Sequence, residues 1–207
     1  MNGRWVRWHA DYDDPTSSLS RRLEVVQDEL GQALQDRPVT RVISMCAGDG
    51  RDVLPVLAEA ATQVDALLVE LEETLADRAR QRAVELQLDG VEVRAADAGI
   101  TDSYVGGAPA QVLLACGVFG NITLADAAAT IAALPSLLDR DGLVIWTRGR
   151  GDDGPDPSED IRGLFVRSGF DEVSFTARDD ACFRVGVHRL SGAPHEFETN
   201  RCLFRFV

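Results

Sequence analysis

The chain has 207 residues, 45% of them hydrophobic, enough to close one full core around a single domain. Its formal net charge is -13 and every basic residue outside histidine is Arg; an acidic chain with scattered arginines repels a phosphate backbone. No stretch approaches the roughly 20 apolar residues of a membrane span, and the N-terminus lacks the apolar run of a signal peptide. These properties predict a cytoplasmic protein with no nucleic-acid partner and no membrane partner.

Near the N-terminus Trp5, Trp8, His9 and Tyr12 recur at helical spacing, until Asp13-Asp14-Pro15 interrupts them. Such a stripe is either packing or an aromatic lid over a binding site. Leu19, Leu23, Val26, Leu30 and Leu34 then follow at steps of three or four, the pattern of an amphipathic helix. Residues 1–37 form one N-terminal helical or lid segment on this reading, and 38–207 form the core.

From Val39 the chain alternates. Strands are predicted at Val39–Cys46, Val64–Glu70, Val91–Ala96, Gln111–Cys116 and Leu143–Thr147. Helices are predicted at Asp52–Ala61, Glu72–Leu88, from Thr123 or Asp126 to about Leu138, and at Ile161–Ser168. Asp139-Arg140-Asp141-Gly142 is expected to be a turn, and 149–158 a polar loop. Three final strands, Asp171–Ala177, Cys182–Leu190 and Arg201–Val207, follow without helices between them. Alternating βα units predict a parallel sheet with helices on both faces, and the closing strands an antiparallel addition. The four cysteines, Cys46, Cys116, Cys182 and Cys202, lack the spacing of a zinc site or a disulfide framework, so no metal is expected.

The functional signal begins at Val-Ile-Ser-Met-Cys-Ala-Gly-Asp-Gly-Arg-Asp, residues 42–52. A strand entering a turn with two glycines one residue apart, then a helix, is how α/β proteins bring bare backbone up to a nucleotide-like ligand. Glu70 ends the next strand about 20 residues later, where a carboxylate can accept ribose hydroxyls. Asp97 ends the third strand and can accept from an adenine amino group. Arg51 can bind a ligand carboxylate or pair with Asp49 or Asp52, and Arg22 is its rival.

In order and spacing these segments, together with Leu-Val-Glu-Leu, Ala-Ala-Asp-Ala, Leu-Leu-Ala-Cys-Gly-Val-Phe-Gly-Asn and Asp-Gly-Leu-Val-Ile-Trp-Thr, resemble the class I S-adenosylmethionine-dependent methyltransferases over residues 39–190. The resemblance implies a doubly wound, seven-stranded, mostly parallel α/β sheet with an antiparallel hairpin near the C-terminus. It implies S-adenosylmethionine as cofactor and S-adenosylhomocysteine as product. Cys46, Gly48, Asp49, Gly50 and Arg51 would line the methionine and ribose portions. Glu70 would hold the ribose, with Leu71 next to it among the cofactor-binding residues, Asp97 with Ala98 would border the adenine, and Cys116 and Gly117 would flank the sulfonium. Two positions depart from the family: Ser44 stands where an acid is usual and Cys46 where a glycine is usual.

Gly-Val-Phe-Gly-Asn after the fourth strand is not the Asn/Asp-Pro-Pro-aromatic run of nucleobase or glutamine methylation, so a small-molecule acceptor is expected. Trp5, Trp8, Phe119, Asn121, Trp146 and Arg148 are its candidate wall residues, Arg148 suiting an anion or a salt bridge with the acidic loop. His9 and Tyr12 are the candidate catalytic groups. Two other functions share the glycine turn and Glu70: an NAD-dependent oxidoreductase and a non-catalytic cofactor-binding protein. The oligomeric state is not encoded in these features.

Overall fold

A computed structural model describes residue 12, residue 14, and residues 16–151, 154–178 and 182–207. Trp5, Trp8 and His9 lie outside the described residues. In chain order the elements are α1 (Ser18–Asp36), β1 (Arg41–Met45), α2 (Leu54–Ala58), β2 (Asp65–Glu70), α3 (Glu73–Glu85) and β3 (Val91–Ala95). There follow β4 (Ala110–Ala115), α4 (Leu124–Ala133), β5 (Leu138–Gly149), α5 (Ser158–Arg167), β6 (Phe170–Ala177) and β7 (Phe183–Leu190).

The strands form one seven-stranded sheet in the order β3-β2-β1-β4-β5-β7-β6. β1 to β5 pair in parallel, and β7 runs antiparallel to both β5 and β6. The fold class expected from the sequence is therefore the one observed. Its physical basis is burial on both faces. Ile43, Met45, Leu67, Val69 and Leu113 face α4 and α5, while Val42, Leu68, Val112 and Leu114 face α1, α2 and α3. Strands covered on both faces carry continuous apolar runs, which is why these were visible in the sequence. Helix starts are fixed locally: Ser17 Oγ accepts from the Ser20 N–H at 3.0 Å, and Thr123 Oγ1 from the Asp126 N–H at 3.1 Å.

Three expectations are corrected. Residues 139–142 are not a turn: they belong to β5, where Asp141 takes a φ of 60° and the β4–β5 register shifts between Ala110 and Val112. The helix after the glycine turn is only five residues long, so Asp52 and Val53 lie in the turn. Residues 201–207 are not a sheet strand. They make isolated bridges, Ile100 with Cys202 and Ile122 with Phe206, and bury Leu203 and Phe204. This segment straps the loop after β3 to the loop after β4, with the Leu203 N–H donating to the Gly99 carbonyl at 2.7 Å and the Val207 N–H to the Asn121 carbonyl at 3.1 Å.

Among the described residues, no helix is long and apolar enough to cross a membrane.

Candidate active site

The strand order reverses between the parallel neighbours β1 and β4, β1 leading to β2 on one side and β4 to β5 on the other. A crevice opens beyond the carboxyl ends of strands at such a switch point. β1 feeds the turn Cys46–Gly50, in which Cys46, Gly48 and Gly50 have φ values of 52°, 58° and 73°. Gly50 is needed twice over. Its φ disfavours any side chain, and a Cβ there would lie 2.6 Å from Leu54 Cδ1 and 3.0 Å from Leu68 Cδ2.

Glu70, at the end of β2, is buried and joined to this turn. Its Oε2 accepts from the Gly48 N–H at 2.8 Å and its Oε1 from the Glu72 N–H at 2.8 Å. An ionised carboxylate offers about four lone-pair sites, so acceptor capacity remains for ligand hydroxyls. Leu71 beside it is 65% exposed, an uncovered apolar side chain at the crevice. Asp97 is exposed after β3, with Oδ1 accepting from the Gly99 N–H at 2.8 Å, and the buried Ala98 gives its carbonyl to the Tyr104 hydroxyl at 2.7 Å. Burial, then the charges of Glu70 and Asp97, push the Cys46 thiol far up, so it stays neutral. Cys46, Gly48, Glu70 and Asp97 thus form one group.

A second group surrounds Cys116, at the end of β4. Burial, then the Asp52 charge, raises its thiol, with Arg22 acting against them. Asp52 is itself pushed up to about 6 by burial, against a hydrogen bond from its own backbone N–H and the pull of Arg22 and Arg51. Tyr12 is raised by burial and takes a hydrogen bond from Arg22 Nη2 on its hydroxyl. The Arg51 guanidinium lies 4.6 Å from the Tyr12 ring centroid, a cation–π contact. Arg51 also grips the buried Asp49 through Nε at 2.9 Å and Nη2 at 2.7 Å, and Arg82 reaches Asp49 Oδ1 at 3.3 Å. Of the two acids offered to Arg51, Asp49 is the one it pairs with among the described residues.

Gly117, φ 73°, faces open space: a Cβ there would meet nothing within 4 Å. Its N–H donates to Thr147 Oγ1 at 2.8 Å, and its carbonyl accepts from Asn121 Nδ2 at 2.7 Å. Asn121 therefore holds the loop. Phe119 and Trp146 are fully buried in the core, their ring centroids 6.1 Å apart and both against Phe165. They are not on the crevice wall, because alternation along β5 turns Trp146 to the face that Val144 shares. Arg148 is half-buried at the end of β5, with Nη1 donating to the Phe119 carbonyl and Nε buried without a partner. The salt bridge offered for it is made by others: Asp156 binds Arg184 at 2.6 Å and stands 3.9 Å from Arg150.

Asp52 and Thr147 were not singled out in the sequence. Asp52, predicted as the first residue of a helix over 52–61, lies instead in the turn before the five-residue α2. The surface depressions lined by Arg80, Val84 and Val91, and by Arg41, Asp65 and Gly90, lie on the β3 side of the sheet, away from the crevice. Among the described residues no cluster of three or more His, Cys, Asp or Glu could hold a metal ion.

The sequence matches no protein-family model and no curated protein. Solved structures do match. Magnesium protoporphyrin IX methyltransferase from Synechocystis PCC 6803 with bound SAM superposes with a TM-score of 0.70 at 19% identity, covering 92% of this chain and 93% of that one. An O-methyltransferase family protein from Burkholderia thailandensis gives a TM-score of 0.67 at 18% identity, covering 83% of this chain and 56% of that one. A putative rRNA-methylase from Clostridium thermocellum gives 0.59 at 12% identity, covering 86% and 98%. The fold is that of the class I S-adenosylmethionine-dependent methyltransferases.

Proposed function

We propose that the protein transfers a methyl group from S-adenosylmethionine to a small-molecule acceptor and releases S-adenosylhomocysteine. The observation that carries this reading is Glu70, a buried strand-end carboxylate bonded to the Gly48 N–H at the switch point with acceptor capacity to spare. The residues fit the cofactor: Glu70, with Leu71 beside it, for the ribose hydroxyls, Asp97 and Ala98 for the adenine, Cys46 and Gly48 along the ribose and the methionine chain next to it, Cys116 and Gly117 for the sulfonium. Bound there, the cofactor supplies a methyl group on an already activated sulfur. What the chain contributes is alignment of donor and acceptor in a site shielded from water.

Tyr12 serves this site by position. Burial keeps the proton on its hydroxyl, and Arg22 orients it, so it places an acceptor better than it deprotonates one. His9, Trp5 and Trp8 stay candidates for the acceptor side. Gly117 leaves the cleft without a side chain at the end of β4. Arg148, which has no ion pair among the described residues, gives the end of β5 a positive charge suited to an anionic group on the acceptor. The net charge of -13 favours a small molecule over an RNA.

The sheet order argues against the oxidoreductase. Dinucleotide-binding sheets run 3-2-1-4-5-6, whereas here an antiparallel β7 separates β5 from β6. Incubation with methyl-labelled S-adenosylmethionine and a broad panel of small acceptors tests the activity. Label transfer to an acceptor supports it; tight cofactor binding with no transfer to any acceptor supports a binding protein instead.

A further inference from the structure

The second cluster goes beyond this assignment. Ser44 occupies the strand position where the family carries an acid; it is 1% exposed and its Oγ has no hydrogen-bond partner. A hydroxyl there cannot supply the negative charge that an ammonium group requires. Eight residues on, Asp52 holds a carboxylate whose Oδ1 is buried and likewise without a partner, and no ion pair among the described residues includes Asp52. A carboxylate oxygen buried with its acceptor capacity unmet is costly unless a ligand supplies the donor.

We infer that Asp52 is the group that receives the α-ammonium of the cofactor's amino-acid end, taking over from the acid absent at Ser44. This rests on the proposed methyltransferase reading. The placement follows from the two clusters. Glu70 and Asp97 act on Cys46, at the side of the crevice assigned to ribose and adenine. Asp52 acts on Cys116 and Tyr12, at the end of β4, where the amino-acid end would lie. The charged and titratable groups facing Asp52 are Arg22 from α1, Asp49 and Arg51 from the turn, Tyr12 and Cys116. An acid within the field of Arg22 and Arg51 matches a zwitterion, and an ammonium offers three donors to a carboxylate in a charge-assisted contact.

The test uses two nucleosides with the same thioether and different tails. S-adenosylhomocysteine carries the amino-acid end; 5′-methylthioadenosine lacks it. Calorimetric titration of the wild-type chain and Asp52→Asn is expected to give at least a tenfold loss of S-adenosylhomocysteine affinity in the variant and less than a twofold change for 5′-methylthioadenosine. On the unmodified chain, an S-adenosylhomocysteine analogue lacking only the α-amino group should lose at least the same tenfold, a readout that needs no variant to fold. Unchanged affinity for S-adenosylhomocysteine in Asp52→Asn, an equal loss of both nucleosides, or full affinity for the deaminated analogue overturns the assignment. If the wild-type chain binds neither nucleoside, the methyltransferase reading itself falls; if it binds both and only the Asp52 results fail, that reading stands without this residue.

Discussion

The Gly48 N–H points at Oε2 of Glu70 across 2.8 Å, so the acid ending β2 and the glycine turn ending β1 are one structural unit. The carboxylate that would hold a ribose also fixes the backbone against which it would lie. Glu70→Ala should therefore weaken S-adenosylhomocysteine binding by about 1–3 kcal/mol and also lower thermal stability, because the buried Gly48 N–H and the part-buried Glu72 N–H lose their acceptor. Titration calorimetry and a thermal melt on the same sample check both. Lost stability with intact affinity would reduce Glu70 to a structural tie.

Cys46 sits at a φ of 52° where the resembled family has glycine. A left-handed conformation costs an L-residue roughly 1–2 kcal/mol, and a β-branched side chain more. Cys46→Gly should stay within about 1 kcal/mol of wild type, the relieved strain offsetting the extra freedom of an unfolded glycine. Cys46→Val should lose about 2 kcal/mol or more. Urea unfolding of both variants gives the answer, and equal losses would show that the turn relaxes around residue 46.

Arg148 combines a half-buried guanidinium, held below its usual range by burial, with no ion pair among the described residues. If it receives an anionic acceptor, Arg148→Gln should raise KM for acidic acceptors by about tenfold or more, the scale of a charge-assisted hydrogen bond. The same variant should keep S-adenosylhomocysteine affinity within a factor of about two, since Arg148 is assigned to the acceptor. Initial-rate kinetics on acids and their neutral amides separates the cases: an unchanged acid-to-amide preference would remove Arg148 from the acceptor site.

Two groups, Asp52 and the buried His188, give stability opposite pH dependences. Asp52 is raised to about 6 from 3.8, so the folded state holds its proton more tightly, and stability falls as pH rises between those values. Asp52→Asn should be more stable than wild type by about 3 kcal/mol at pH 7 and nearly equal at pH 4. His188 is lowered to about 4 from 6.5, chiefly by burial, with Nδ1 accepting from Trp146 Nε1 at 3.0 Å. Its folded state refuses a proton that the unfolded chain accepts, so stability falls as pH drops from 6.5 towards 4. Denaturant titrations against pH test the first, and the imidazole NMR titration of His188 the second. A gain in Asp52→Asn that is the same at pH 4 and pH 7, or a His188 midpoint near 6.5, would contradict them.

Most of the fold was legible because β1, β2 and β4 are buried on both faces and keep their apolar runs unbroken. Polar Asp139-Arg140-Asp141-Gly142 concealed the start of β5, since a bulged extension with a left-handed Asp141 has the composition of a turn. Residues 201–207 misled in the opposite direction: Leu203 and Phe204 bury against the core without entering the sheet. At the site, acids that end strands were legible from position alone. Phe119 and Trp146 were not, because the face an aromatic takes at a strand end depends on packing partners such as Phe165, distant in sequence. Asp52 was legible only as a partner for Arg51, because the Pro55-containing helix after it begins later than its periodicity suggests.

The central claim is that the crevice beyond β1 and β4 binds S-adenosylmethionine. Equilibrium binding of S-adenosylhomocysteine and NAD to the same preparation tests it most directly. Saturable binding of S-adenosylhomocysteine, lost in Glu70→Ala, with no binding of NAD is the result expected; tight NAD binding with none for S-adenosylhomocysteine would contradict it.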